Sequence, residues 1–148
     1  MHSSSRAAIV AAWLTLGSSS GIAQGMVCST EFAAGIGYDK ANKRWHSTTF
    51  RASEKFVLAR SQNPNAKWEV KQLGSNSPVA WCRQDFSAEE LLSCSGISQE
   101  FHFNRRALRF VHAYTAGYWN EESMKQLLPN RQEGNDTPSV SVGLCTTL

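Results

Sequence analysis

The stretch Gln99–Thr115 reads QEFHFNRRALRFVHAYT and carries the clearest strand pattern in the chain. On either side of Arg105-Arg106, aromatic and β-branched residues alternate with polar ones, as in half-buried strands. We therefore predict an antiparallel hairpin of Gln99–Asn104 and Ala107–Thr115 with its loop at Arg105-Arg106.

The register of this hairpin decides which side chains share a face. With the loop at Arg105-Arg106, Phe101 lies opposite Phe110 and Phe103 lies opposite Leu108, which stacks four large apolar groups. The Arg-Arg pair lacks the glycine or asparagine that two-residue loops prefer. A slip by one residue would move these side chains to the other face.

The rest of the chain shows the same short runs, separated by Asn, Gly, Ser and Pro. Further strands are predicted at Glu31–Tyr38, Trp45–Arg51, Lys55–Arg60, Trp68–Leu73, Val79–Arg83 and Ser139–Cys145. Ser87 and Glu90 fit a capping box that starts one helical turn before Cys94, and a second short helix is predicted at Asn120–Leu128. We expect a mainly β fold, a small antiparallel sandwich or barrel stapled by disulfides.

The N-terminus has the three parts of a secretory signal peptide. A charged start, Met1–Arg6, is followed by the apolar run Ala7–Gly17 and by the small, polar segment Ser18–Ala23. The apolar run is shorter than the roughly 20 residues that cross a bilayer. We predict cleavage after Ala23, a single β-rich domain over residues 24–148 with no membrane anchor, and a periplasmic or secreted location.

Four cysteines follow the predicted signal: Cys28, Cys82, Cys94 and Cys145. An even number after an export signal indicates disulfides, because export compartments oxidise thiols. Four cysteines allow three pairings, of which we favour Cys82–Cys94 with Cys28–Cys145. Lipidation of Cys28 is the alternative for that residue, but Val27 is not the small residue that a lipobox requires.

Charge and spacing exclude several classes of function. The net charge of +3 is small and the basic residues are scattered, which argues against nucleic acid as a partner. The cysteines and histidines lack metal-binding spacings, so we expect no metal ion, and no motif calls for a cofactor.

The only acid–base group that the sequence suggests lies on the polar face of the Gln99–Thr115 hairpin. In the predicted register, His102 lies opposite Arg109 and beside Glu100, so these three residues are catalytic candidates. The simpler interpretation is a solvated polar face. His112 falls on the face of Phe110, at the edge of the core.

Aromatic residues supply the other candidates. Tyr118 and Trp119 follow a predicted strand and form the aromatic group that we expect to be exposed. Exposed aromatics stack on sugar rings or anchor protein partners. The simpler interpretation is that most aromatic side chains fill the core.

The second half of the chain resembles a group of short exported bacterial proteins of unassigned function. The resemblance rests on Cys94-Ser95-Gly96, Phe101–Asn104, Leu108-Arg109-Phe110, Tyr114 with Gly117-Tyr118, and the ending Asp136–Cys145. It implies export, paired cysteines and β structure, and it carries over no catalytic residue.

Three hypotheses about function follow. The leading one is a non-enzymatic periplasmic or secreted module that binds a protein or an envelope glycan. The second is a small hydrolase that uses Glu100 and His102. The third is an inhibitor of a hydrolase, a role suited to small disulfide-stapled β domains.

Overall fold

The computed structural model describes residues 25–120, 122–123, 126, 130 and 132–148. The predicted signal peptide, 1–23, lies outside the described residues. The described chain is almost entirely strand and turn. Its nine strands are β1 Gly25–Asp39, β2 Arg44–Phe50, β3 Lys55–Arg60, β4 Trp68–Gln72, β5 Pro78–Cys82, β6 Leu91–Gly96, β7 Gln99–Asn104, β8 Arg109–Tyr114 and β9 Ser139–Thr147.

Eight of these strands close into an antiparallel barrel, which resolves the choice between sandwich and barrel. The strands follow the order β1-β3-β4-β5-β6-β7-β8-β9, and β9 pairs again with β1. Closure satisfies the backbone groups that an open sheet leaves at its edges. An eight-stranded barrel is just wide enough for side chains to fill its interior.

The long strand β1 pairs with two different strands along the same edge. Its first residues, Gly25–Ser29, pair with β3, whereas Ala33–Asp39 pair with β2. A bulge at Glu31 separates the two parts in the pairing with β9. Pairing with β9 ends at Gly35, so the tip of the β1–β2 hairpin extends past the barrel wall as an arm.

The interior is filled by the inward side chains of the strands. Phe101, Phe103 and Phe110 are 0 to 2% exposed, and Phe56 packs edge-on against Phe101 with ring centroids 5.0 Å apart. Burial of each such ring stabilises the fold by roughly 1.5–3 kcal/mol relative to exposure. The predicted apolar face of the hairpin is therefore the core face.

One end of the barrel is closed by aromatic and charged side chains. Trp68 packs edge-on against Phe86, and the guanidinium of Arg60 lies 4.0 Å above the Trp68 ring. Asp85 accepts hydrogen bonds from both the Trp68 indole, at 2.8 Å, and Arg60, at 2.9 Å. These contacts pack Trp68, Phe86, Arg60 and Asp85 into one cluster at this end of the barrel.

Both predicted disulfides are confirmed. Cys28 and Cys145 face each other in the β1–β9 register, and Cys82 in β5 is bonded to Cys94 in β6. All four are buried. The Cys28–Cys145 bond spans 117 residues of sequence and the Cys82–Cys94 bond spans 12, so one crosslink closes the barrel and the other is local.

The predicted hairpin register is wrong by two residues. Phe103 lies opposite Phe110, and Phe101 lies opposite His112. The turn is longer than the two-residue loop, and Leu108 adopts a positive φ of 51° within it rather than pairing with Phe103. Because the shift is an even number of residues, the paired side chains keep their predicted faces, whereas Leu108 leaves the apolar face and is 36% exposed.

The predicted helical turn at Ser87 is wrong. Ser87 Oγ accepts hydrogen bonds from the backbone N–H groups of Glu89 and Leu91, which forms a turn that leads directly into β6. A serine cap and a serine turn use the same acceptor, so the local pattern does not distinguish them. Of the second predicted helix, Glu122, Ser123 and Gln126 are helical, whereas 121, 124–125 and 127–128 lie outside the described residues.

Candidate functional site

Glu100, His102 and Arg109 lie on the outer wall of the barrel. The His102 Nε2 and Glu100 Oε2 atoms are 3.9 Å apart, and the two side chains are 58% and 65% exposed. Arg109 does not lie opposite His102 as predicted. Its partner is Asn104, while Val111 lies opposite His102, so the structure brings together two of the three candidates.

Ser93 on β6 adds a hydroxyl that sequence reasoning did not single out. Its Oγ lies 3.0 Å from His102 Nδ1, so Ser93, His102 and Glu100 form a line across β6 and β7. Ser93 is also exposed. Hydrolytic triads act in sheltered sites with donors that stabilise an oxyanion, whereas all three side chains here are exposed on the outer wall.

Tyr118 and Trp119 are exposed as predicted, at 57% and 73%. Trp119 is held by its indole N–H, which donates to the Thr115 carbonyl at 2.7 Å. Tyr118 contacts the edge of Trp45 at 5.4 Å, and Trp45 contacts Tyr38 at 5.1 Å. The aromatic residues thus join the arm to the segment that follows β8.

Strand β9 turns its apolar side outward. Ser141, Gly143 and Cys145 face the interior. Val140, Val142 and Leu144 face solvent and are 51%, 39% and 46% exposed. Soluble barrels show the opposite alternation, with apolar side chains inside. Packing in the core therefore does not explain why Val140, Val142 and Leu144 are apolar.

Neighbouring strands widen this row into a continuous surface. Val142 lies between Val111 of β8 and Phe32 of β1, which is 71% exposed. Two hollows lie along it, of about 630 Å³ beside Leu144 and about 390 Å³ beside Trp119. We call this surface the apolar band: Phe32, Val111, Tyr118, Trp119, Val140, Val142 and Leu144.

A separate, polar cavity of about 290 Å³ opens at the end of the barrel opposite Trp68. We call it the barrel mouth. His112 and Phe56 form its floor, and the segment 135–137 borders its rim. The remaining described lining residues are Glu54, Gln72, Val79, Gln99, Tyr114 and Ser139.

His112 is fixed in the floor of the mouth as a neutral imidazole. Its ring stacks on Phe101 with centroids 4.2 Å apart. The Gln99 Oε1 atom, 3.2 Å from Nε2, accepts a hydrogen bond, so the proton is on Nε2. Nδ1 then accepts from Ser141 Oγ at 3.3 Å. Burial lowers the pKa of His112 to about 4.

Glu54 stands over this imidazole, just before β3. Its Oε2 lies 3.9 Å from His112 Nδ1. Burial raises the pKa of the Glu54 carboxyl above its ordinary value. A carboxyl group and an imidazole whose pKa values are both displaced, in one concave site, are typical of a functional site.

Sequence reasoning missed the barrel mouth. Its residues come from six separate segments of the chain, so no local motif marks them. The one available signal was His112 on an apolar strand face, which indicates a core-edge histidine and not its partners.

Within the described part of the chain, no three His, Cys, Asp or Glu side chains converge as metal ligands would. None of the described helical residues belongs to a helix long and apolar enough to cross a membrane. Comparison with protein-family models, curated proteins and solved structures found no match. The case for a function therefore rests on the geometry of the described surfaces.

Proposed function

We propose that the protein is a non-enzymatic binding module whose apolar band docks a protein partner in a periplasmic or extracellular compartment. The observation that carries the proposal is the outward apolar side of β9, flanked by Val111 and Phe32. Contiguous exposed apolar patches are rare on monomeric proteins and mark interaction sites. Two disulfides fit an oxidising compartment.

The composition of the band favours a protein over a glycan. Trp119 and Tyr118 supply rings that stack on sugars. The hollow beside them is lined by Ala34, Ile36 and Val140 and offers few polar groups, whereas sugar hydroxyls need hydrogen-bond partners. Aliphatic and aromatic side chains around an apolar centre, with His102 and Arg109 at the edge, match a protein interface.

Site-specific photocrosslinking in the producing cells tests this proposal. A photoreactive amino acid at Val142 or Trp119 should crosslink the same protein, while one at the exposed outer-wall residue Ser95 should not. The isolated partner should then bind the purified module, and Val142→Glu should weaken that binding at least tenfold. Equal crosslinking from Ser95, or unchanged binding by Val142→Glu, would contradict the proposal.

Two controls separate the alternative partners. A glycan partner would quench tryptophan fluorescence in both the wild type and Val142→Glu, and Trp119→Ala would abolish the quenching. Sedimentation of the purified protein distinguishes a different partner from a second copy of the same chain. If the crosslinked protein is a hydrolase and the module inhibits it, the protein is an inhibitor that acts through the apolar band.

A further inference from the structure

We propose that the barrel mouth is a second binding site, for a small amine that carries hydroxyl groups and has the size of an amino sugar. The mouth opens at the barrel end and the apolar band lies on the outer wall, and the mouth shares only Tyr114 and Ser139 with the lining of the hollow beside Trp119. Neither site needs the other, so failure here leaves the docking proposal intact.

The shape of the mouth limits the size of the ligand. At about 290 Å³ it lies at the small end of ligand pockets, which span roughly 300–1,000 Å³. Buried core side chains fill the barrel below Phe56, so a ligand cannot extend inward from the mouth. One sugar-sized ring fits the mouth, whereas a fatty acyl chain has no tunnel to occupy.

The charge of the mouth selects a cation. Glu54 is half-buried, and its carboxylate lies 3.9 Å from the His112 ring, which is neutral. Asp136 on the rim adds a second acidic side chain, which has an interaction of its own. None of the described lining residues is a lysine or arginine. A half-buried carboxylate without a fixed counter-charge attracts an ammonium group, and a charge-assisted hydrogen bond is about twice as strong as a neutral one.

The hydrogen-bonding groups around Glu54 select hydroxyls beside the ammonium. The Gln99 Oε1 atom is already occupied by His112, which leaves the Gln99 amide NH₂ to donate to a ligand oxygen. Gln72 and Ser139 add groups that both donate and accept. Phe56 and Val79 supply apolar surface for the face of a ring.

An inorganic cation satisfies the charge but not the geometry. A metal ion needs several carboxylate, imidazole or thiolate ligands at short range, and no group of three exists among the described residues. His112 Nδ1 is also occupied by Ser141. The positive charge that fits the mouth is therefore carried by an organic molecule.

Titration with glucosamine, followed by amide NMR shifts of the full-length mature protein, tests this inference. We expect saturable shifts in the millimolar range, centred on Gln99, Gln72 and Thr137, which line the mouth and not the hollow beside Trp119. Glucose, which has the ring without the charge, and gluconate, which has the opposite charge, should bind at least ~10-fold more weakly. Equal binding of glucose, or shifts confined to the outer wall, would overturn the inference.

Variants of Glu54 separate charge from shape. Glu54→Gln should weaken glucosamine binding by ~10-fold or more, because it keeps the size of the side chain and removes its charge. Glu54→Asp keeps the charge and should retain most of the affinity. Glu31→Gln removes an exposed carboxylate from the outer wall and should change nothing. Unchanged affinity in Glu54→Gln, or absence of any shift in the wild type, would refute the site.

Discussion

The Glu54 Oε2 atom lies 3.9 Å from Nδ1 of His112, yet the two groups do not form a charged pair. Burial lowers the pKa of the imidazole to about 4 and raises the pKa of the carboxyl. Each group is therefore displaced toward its neutral form. At neutral pH the mouth holds a neutral histidine beneath a carboxylate that is poorly solvated.

The His112 imidazole should make the fold sensitive to acid. It titrates near 6.5 in the unfolded chain and at about 4 in the folded protein, so the unfolded chain takes up the proton first as the pH falls. This contribution to stability, up to ~3 kcal/mol, is complete above pH 6.5 and is lost between pH 6.5 and 4. Urea unfolding across this range should show it, and His112→Phe should reduce the loss. If the free energy of unfolding fell equally steeply with falling pH in the wild type and in His112→Phe, His112 would not be the source of the acid sensitivity.

Glu54→Gln should not destabilise the protein at pH 7 and should slightly stabilise it. A carboxyl group with a raised folded-state pKa stabilises the fold only below its unfolded pKa, and this contribution is lost as the pH rises through the folded value. The neutral amide avoids the desolvation that the carboxylate suffers. Thermal unfolding of the variant and of Glu31→Gln at pH 7 provides the comparison. A lower melting temperature for Glu54→Gln alone would contradict this prediction.

The two disulfides should contribute unequally to stability. All four cysteines are buried, so replacing either pair with alanine removes similar packing. The Cys28–Cys145 bond closes a loop of 117 residues and Cys82–Cys94 one of 12. On the chain-entropy model, removal of the longer crosslink costs about 2 kcal/mol more. Urea unfolding of the two double variants measures this difference, and equal losses would show that strain or residual structure dominates.

Adjacent residues of β9 should respond in opposite ways to substitution. Val142 faces solvent, so Val142→Thr should change the free energy of unfolding by less than about 0.5 kcal/mol. A Cβ atom at Gly143 would lie 2.0 Å from the Ser29 carbonyl oxygen. Gly143→Ala should therefore cost at least ~2 kcal/mol. The same urea series tests both, and a tolerated Gly143→Ala would show that β1 and β9 separate more easily than their pairing suggests.

Asp85 should titrate far below an ordinary aspartate. The Trp68 indole, the Arg60 guanidinium and the Phe86 backbone N–H all donate to its carboxylate and lower its pKa to about 2. Because the indole is the largest cause, Trp68→Phe should raise the pKa toward the ordinary 3.8. Carboxyl-carbon NMR titration measures the shift. If Arg60→Gln raised the pKa of Asp85 more than Trp68→Phe does, Arg60 and not Trp68 would be the larger cause of the shift.

Most strands were predictable from local alternation, because that pattern depends on the two faces of a strand. Lys55–Arg60 and Gln99–Asn104 match their predicted bounds. The strand β6 was hidden by the serine turn at Ser87, and the start of β1 lies before its predicted first residue, Glu31. Pairing partners distant in sequence, such as Cys28 and Cys145, leave no local pattern and were inferred from cysteine arithmetic.

The surfaces were less predictable than the strands. The alternation of Val140, Val142 and Leu144 with small residues was visible, but the sequence does not state which side faces the interior. Four disulfide-bonded cysteines and five aromatic residues lie in the core, and β9 contributes Ser141, Gly143 and Cys145 to the interior rather than large side chains. Glu54 gave no signal, because its partners come from other strands.

The arm formed by the tip of the β1–β2 hairpin lies outside the closed ring of eight strands. Removing or adding residue pairs near the Asp39–Arg44 turn would leave the pairing of β1 with β3 and β9 untouched. Closure fixes the number of strands in the ring, but it does not fix the length of the arm. Proteins that share this fold should therefore differ by insertions and deletions in the arm, because such changes leave the closure of the barrel undisturbed.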